Sequence, residues 1–122
     1  DLYPTLCRLA GVPVPDGLDG RSFAPLLSDP QAAHRDSVIH VYPRGPRLGR
    51  ALRTERHRLV EWRVPGAAPE SAVFELYDYQ ADPAETKNLA AEQPEEVARL
   101  RAALGAHPEA LRPWTPNAQK PK

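Results

Sequence analysis

The sequence predicts an α+β chain built on a small four-stranded antiparallel sheet packed by one C-terminal helix. Three observations lead there. From Phe74 to Tyr79 the side chains alternate, with Phe74, Leu76 and Asp78 on one side of an extended strand and Glu75, Tyr77 and Tyr79 on the other, as in a sheet packed on one face. Four strand-like stretches, residues 37–42, 48–54, 58–64 and 73–79, are joined by links too short for the crossover of about a dozen residues that a parallel return requires. After Pro94, the positions Val97, Leu100 and Leu104 form one apolar stripe, the natural cover for the sheet.

Residues 1–10 read as a short helix, with Asp1 able to cap its free N–H groups and Leu2, Leu6 and Leu9 spaced as one buried stripe. Such a helix needs a partner surface, because nucleation is costly and packing supplies the stability. Prolines 13 and 15 and the turn-forming Asp16-Gly17 and Asp19-Gly20 make the next stretch a connector. Ser22 can cap a following turn whose buried side is Phe23, Leu26 and Leu27, and Pro25 and Pro30 keep that turn short. A proline-rich loop, residues 43–47, links the first two strands, and a tight turn at Glu55-Arg56 links the next two. Asp82-Pro83 ends the last strand, since proline has no N–H for the ladder and favours extended geometry in the residue before it. Pro94 suits a first helical position, Glu95 and Glu96 lie near the positive end of the helix dipole, and Gly105 closes the element. The expected division is therefore residues 1–36, residues 37–105 with the sheet and helix, and residues 106–122 as an extended, proline-containing tail anchored by Trp114.

Composition narrows the function classes. Sixteen basic and sixteen acidic residues give no net charge, so no broad electrostatic footprint for nucleic acid is present. The apolar runs are far shorter than the roughly 20 residues that cross a bilayer, and no membrane partner is expected. One cysteine cannot make an internal disulfide framework. The four histidines are scattered without an i, i+4 pair, and no phosphate-binding glycine loop, nucleophile elbow or paired catalytic carboxylates can be quoted.

The run Glu75-Leu76-Tyr77-Asp78, followed by Asp82-Pro83-Ala84-Glu85-Thr86-Lys87-Asn88-Leu89, resembles the signature near the C-terminus of the type I, formylglycine-dependent sulfatase family. Asp1-Leu2-Tyr3-Pro4-Thr5-Leu6 with Leu18-Asp19-Gly20-Arg21-Ser22 resembles a second segment of that family. Val41-Tyr42-Pro43-Arg44 with Arg50-Ala51-Leu52-Arg53-Thr54 and residues 57–62 is similar to its iduronate-2-sulfatase-like branch. The likeness runs from Asp1 to about Leu104 and covers the last part of such an enzyme. It implies a C-terminal fragment of an alkaline-phosphatase-like α/β sulfatase, with residues 1–36 a remnant of the large domain. The rest of that chain would be its partner, with a sulfated sugar such as a sulfated uronate as substrate, calcium and formylglycine as the parent's cofactors, and a periplasmic or secreted setting.

The chemistry of that family is not expected within these residues. Formylglycine arises in a Cys/Ser-x-Pro-x-Arg motif, whereas Cys7 is followed by Leu9 and Gly11 at those positions and reads as a buried helix residue. Calcium takes about six to eight oxygen ligands, and Asp16, Asp19, Asp78 and Asp82 read as turn residues. No catalytic or metal-binding residue is assigned, and the chain alone is expected to be inactive. The candidate substrate-binding residues are His40, Tyr42 and Arg44. His40 and Tyr42 share a face with Val38 and lead into Arg44, whose planar fork suits a carboxylate or sulfate. Arg53, among apolar strand residues, is expected to pair with Glu61, Glu75 or Asp78. Two rival readings stand beside the sulfatase. One is a free-standing glycan-binding module using a basic loop around Arg44, Arg47 and Arg50, the other a related phosphohydrolase of the same superfamily.

Overall fold

The computed structural model describes residues 1–110, so the expected tail and its Trp114 anchor fall largely outside the described residues. The described residues form two compact units, residues 1–35 and the residues from Asp36 onward.

In the first unit, α1 (Leu2–Leu9) begins after Asp1, but the Asp1 carboxylate does not cap it. It accepts hydrogen bonds from the Arg21 amide at 2.6 Å and from Arg35 Nε and Nη2 at 3.0 and 2.9 Å. A two-pronged guanidinium outcompetes the helix N–H groups for the same oxygens. Thr5 Oγ1 accepts from the Phe23 amide at 3.0 Å, so α1 buries Pro4, Thr5 and Cys7. The predicted stripe faces outward instead, with Leu2, Leu6 and Leu9 each at least 60% exposed. Amphipathic spacing gives the direction of a stripe but not its partner, and no element of this unit lies on that side. The short 3₁₀ turn Ala24–Leu27 follows, with Ser22 Oγ accepting from the Ala24 amide at 3.2 Å. Leu27, expected inside, is exposed.

The second unit is an antiparallel meander, β1 (Ser37–Arg44), β2 (Arg47–Thr54), β3 (His57–Arg63) and β4 (Val73–Asp78), in spatial order β1-β2-β3-β4. The fold class is the α+β architecture read from the sequence. β1 and β2 run further than expected, leaving Gly45 (φ 58°) and Pro46 as the turn. Pro43 is tolerated inside β1 because β1 is an edge strand, where a missing N–H leaves no central ladder bond broken.

One face of the sheet packs against α2 (Pro94–Gly105): Leu52, Leu59, Leu76, Leu100 and Leu104 are at most 1% exposed, with Ile39, Phe74, Leu89 and Val97 around them. His57 braces the same contact, its Nδ1 2.9 Å from Glu96 Oε1 on α2 and its Nε2 3.8 Å from Asp78 on β4.

The segment after β4 explains its own sequence. Asp78 accepts from the Gln80 amide at 3.0 Å, and Asp82 accepts from the Lys87 amide and the Thr86 hydroxyl at 2.9 and 3.1 Å. Asn88 Oδ1 accepts from the Leu76 amide at 2.9 Å, and the Leu89 amide donates to the Leu76 carbonyl at 2.8 Å, so the reversal satisfies backbone groups on the outer edge of β4.

Arg56 grips Asp78 with Nε 3.1 Å from both carboxylate oxygens and Nη2 at 2.7 Å, and holds its pKa at about 2 against an ordinary 3.8. A carboxylate depressed on folding contributes stability that is complete above its unfolded pKa and is lost as pH falls through its folded one. The stability gap between the native chain and Asp78→Asn should therefore shrink between pH 3.8 and about 2. Urea midpoints measured across that range check this, and a constant gap would contradict it.

Candidate functional site: the open face of the sheet

Because successive strand residues point to opposite faces, the core packing of Ile39 turns Val38, His40, Tyr42 and Arg44 to the face away from α2. The structure places His40, Tyr42 and Arg44 as an exposed row along edge strand β1, with Tyr42 58% exposed. Their partners across β2 are small or basic: His40 lies opposite Ala51, Tyr42 opposite Gly49 and Arg44 opposite Arg47. Of the three, Arg44 meets an aromatic ring, its guanidinium carbon 5.7 Å from the Trp62 centroid.

The rest of this face continues the alternation of cations and rings. Arg53 stacks on Tyr79 at 3.5 Å and Arg58 on Tyr77 at 5.2 Å, and both Arg58 and the Tyr79 hydroxyl engage Glu85. Burial, reinforced at Tyr79 by the Glu85 hydrogen bond, pushes both phenols above their ordinary pKa, so they remain neutral donors.

Two expectations need correction. Arg53 has no carboxylate partner among the described residues; it donates to the Thr54 and Glu55 carbonyls and lies on Tyr79. The buried pair is one turn of the alternation away, at Arg50 and Glu61 (3.5 Å), which share the helix-side face, whereas Arg53 projects to the open side. Arg50 is 6% exposed and also donates to the His107 and Pro108 carbonyls at 3.2 and 2.9 Å. It therefore cannot join Arg44 and Arg47 in a basic binding loop, which weakens the glycan-module reading.

Sequence reasoning missed Trp62 and Gly49. They are adjacent only through the β2–β3 register, in which Gly49 lies opposite Trp62. A stretch read alone signals a tryptophan on a strand but not its cross-strand neighbour.

Residues 1–111 match the family model described as "N-sulphoglucosamine sulphohydrolase, C-terminal". The chain belongs to this sulfatase family. Within it, this sulfatase domain is 32% identical over 106 residues to arylsulfatase K of Xenopus laevis, covering 82% of this chain and 20% of that protein. It is 37% identical over 97 residues to the Delta 4,5-hexuronate-2-O-sulfatase of Bacteroides thetaiotaomicron, covering 74% and 18%. A solved protein in complex with its substrate D-glucosamine-2-N,6-O-disulfate superposes with a TM-score of 0.68 at 26% identity, over 84% of this chain and 22% of that one. The chain thus spans about a fifth of the length of the curated relatives it matches.

The residues described do not fit the formylglycine or the calcium that the resemblance implies for the parent enzyme. Cys7 is 8% exposed in α1 and lacks the flanking Pro and Arg. No group of three or more His, Cys, Asp or Glu side chains among the described residues could hold a metal ion. No helix among the described residues is long and apolar enough to cross a membrane.

Proposed function

We propose that the chain is the C-terminal part of an enzyme that hydrolyses sulfate esters on an anionic sugar, and that the open face of its sheet borders the sugar through His40, Tyr42 and Arg44. The observation that carries this reading is the exposed row on β1, ending in an arginine without a carboxylate partner among the described residues. It occurs in a sulfatase domain whose relatives are named for a sulfated hexuronate and bind a disulfated glucosamine. The guanidinium supplies a planar, permanently charged fork for a carboxylate or sulfate, and the phenol and imidazole supply further polar contacts to hydroxyl groups. These residues bind and orient; bond cleavage belongs to groups outside this chain. In this reading residues 1–36 are the piece of the large domain, whose remainder covers the outward stripe of Leu2, Leu6 and Leu9, and the parent acts in the periplasm or outside the cell.

In the full-length enzyme, Arg44→Ala should raise KM for a hexuronate-2-O-sulfate disaccharide roughly tenfold, the scale for one charge-assisted hydrogen bond. It should leave kcat nearly unchanged, because an interaction made equally in ground and transition states is being removed. Unaltered kinetics would reject the sugar-facing assignment. Turnover of the phosphate ester and not the sulfate ester would favour the phosphohydrolase reading instead.

A further inference from the structure

We infer that Trp62 is a positioning residue for Arg44, and that Gly49 is the notch that lets it act. The inference rests on the sugar-facing reading of the β1 row.

Gly49 occupies a central strand with Tyr42 on one side and Trp62 on the other, a position where glycine weakens a sheet unless something requires it. Backbone conformation is not the requirement, because the positive-φ glycines are Gly11, Gly17, Gly45 and Gly66. Space is. A Cβ built at Gly49 would stand 2.6 Å from Trp62 Cζ3, 2.7 Å from Cη2 and 2.9 Å from Cε3, so the benzo ring of the indole lies where a side chain would be. The ring is thereby carried across β2 towards β1, where the Arg44 guanidinium lies over it.

Arg44, like Arg53 on the same face, lies against an aromatic ring without a carboxylate partner among the described residues. Arg50, Arg56, Arg58, Arg63 and Arg99 each pair with a carboxylate, whereas the interaction found for Arg44 is with the indole. A guanidinium held near a ring by cation–π attraction, and by no carboxylate among the described residues, keeps N–H groups open for an acceptor. Its rotamer freedom is also partly given up before a ligand arrives, which reduces what binding must still spend on ordering. The buried indole Nε1 has no hydrogen-bond partner, so the ring, and not its N–H, performs this role.

The test is a double-mutant cycle in the full-length enzyme, with a hexuronate-2-O-sulfate disaccharide and D-glucosamine-2-N,6-O-disulfate as probes. Trp62→Leu should raise KM about 2- to 5-fold, the scale of an exposed cation–π contact, with kcat little changed. Trp62→Phe should restore most of the loss. Adding Trp62→Leu to Arg44→Ala should raise KM no further, because the tryptophan acts through the arginine. Gly49→Ala, which keeps the indole but lifts it off β2, should reproduce the KM increase and serves as the second variant should Trp62→Leu fail to fold. A further KM increase from Trp62→Leu in the Arg44→Ala background would overturn the inference. So would Trp62→Leu and Gly49→Ala proteins with native KM alongside an impaired Arg44→Ala enzyme, and in that case the sugar-facing reading survives. Should Arg44→Ala itself leave KM for both probes untouched, that reading falls and the role of Trp62 falls with it.

Discussion

Glu61→Ala is expected to destabilise the chain by about 3–5 kcal/mol, the range for removing one member of a buried ion pair. Glu61 is 7% exposed and lies 3.5 Å from Arg50 Nη2 and 3.7 Å from Arg63 Nε, so its loss leaves two largely buried guanidinium groups without their shared carboxylate. Arg63 retains Glu109 and the Ala67 carbonyl, and Arg50 retains the His107 and Pro108 carbonyls. The Arg50 charge is the one left without compensation, and its Nε already lacks a partner. Replacing both members, Arg50→Met with Glu61→Leu, should recover much of the loss, because the cost lies in the stranded charge and not in the absence of the pair. Urea unfolding at neutral pH decides the matter. A single Glu61→Ala change within about 0.5 kcal/mol of the native chain would show that water reaches this pair.

The second large effect belongs to Leu76→Ala, for which a loss of about 2–5 kcal/mol is expected from the lost burial and the cavity left behind. Leu76 is fully buried among Leu52, Leu59, Leu100 and Leu104, and its backbone is held on the outer side by Asn88 and Leu89. That backbone tether limits how far β4 can move inward to fill the space, which argues for the upper part of the range. Leu76→Met, nearly conserving volume, should cost less than about 1.5 kcal/mol. Leu6→Ala provides the contrast. The residue is 61% exposed, and its loss should fall within about 0.5 kcal/mol in this chain. Equal losses at Leu6 and Leu76 in denaturant unfolding would refute this assignment of the core.

The contrast between Leu6 and Leu76 also shows where the sequence could be read and where it could not. Both residues belong to correctly located elements with apolar periodicity. The period-two pattern around Leu76 had a partner within the same chain, the stripe of Val97, Leu100 and Leu104, and the short links left few ways to join them. The stripe of α1 had none within its own unit. Asp82 was legible as part of a turn, because aspartate before proline favours a reversal through its own short-range hydrogen bonds. The carboxylate partnerships were less accessible. Arg50 and Arg53 stand three residues apart and hence on opposite faces, and choosing which one is buried required knowing where α2 lies.

By itself, the sequence determined the four-strand meander, its covering helix, the reversal after β4 and the membership of a sulfatase C-terminal family. Strand periodicity, short links, proline positions and local turn chemistry act over a few residues and so remain visible in one dimension. The tertiary structure alone decided that Arg50 rather than Arg53 is paired, that Asp1 closes its own unit instead of capping a helix, and that Trp62 reaches Arg44 across Gly49. Those outcomes depend on cross-strand register and on competition between distant donors for the same oxygen atoms or the same space, which only the folded chain brings together.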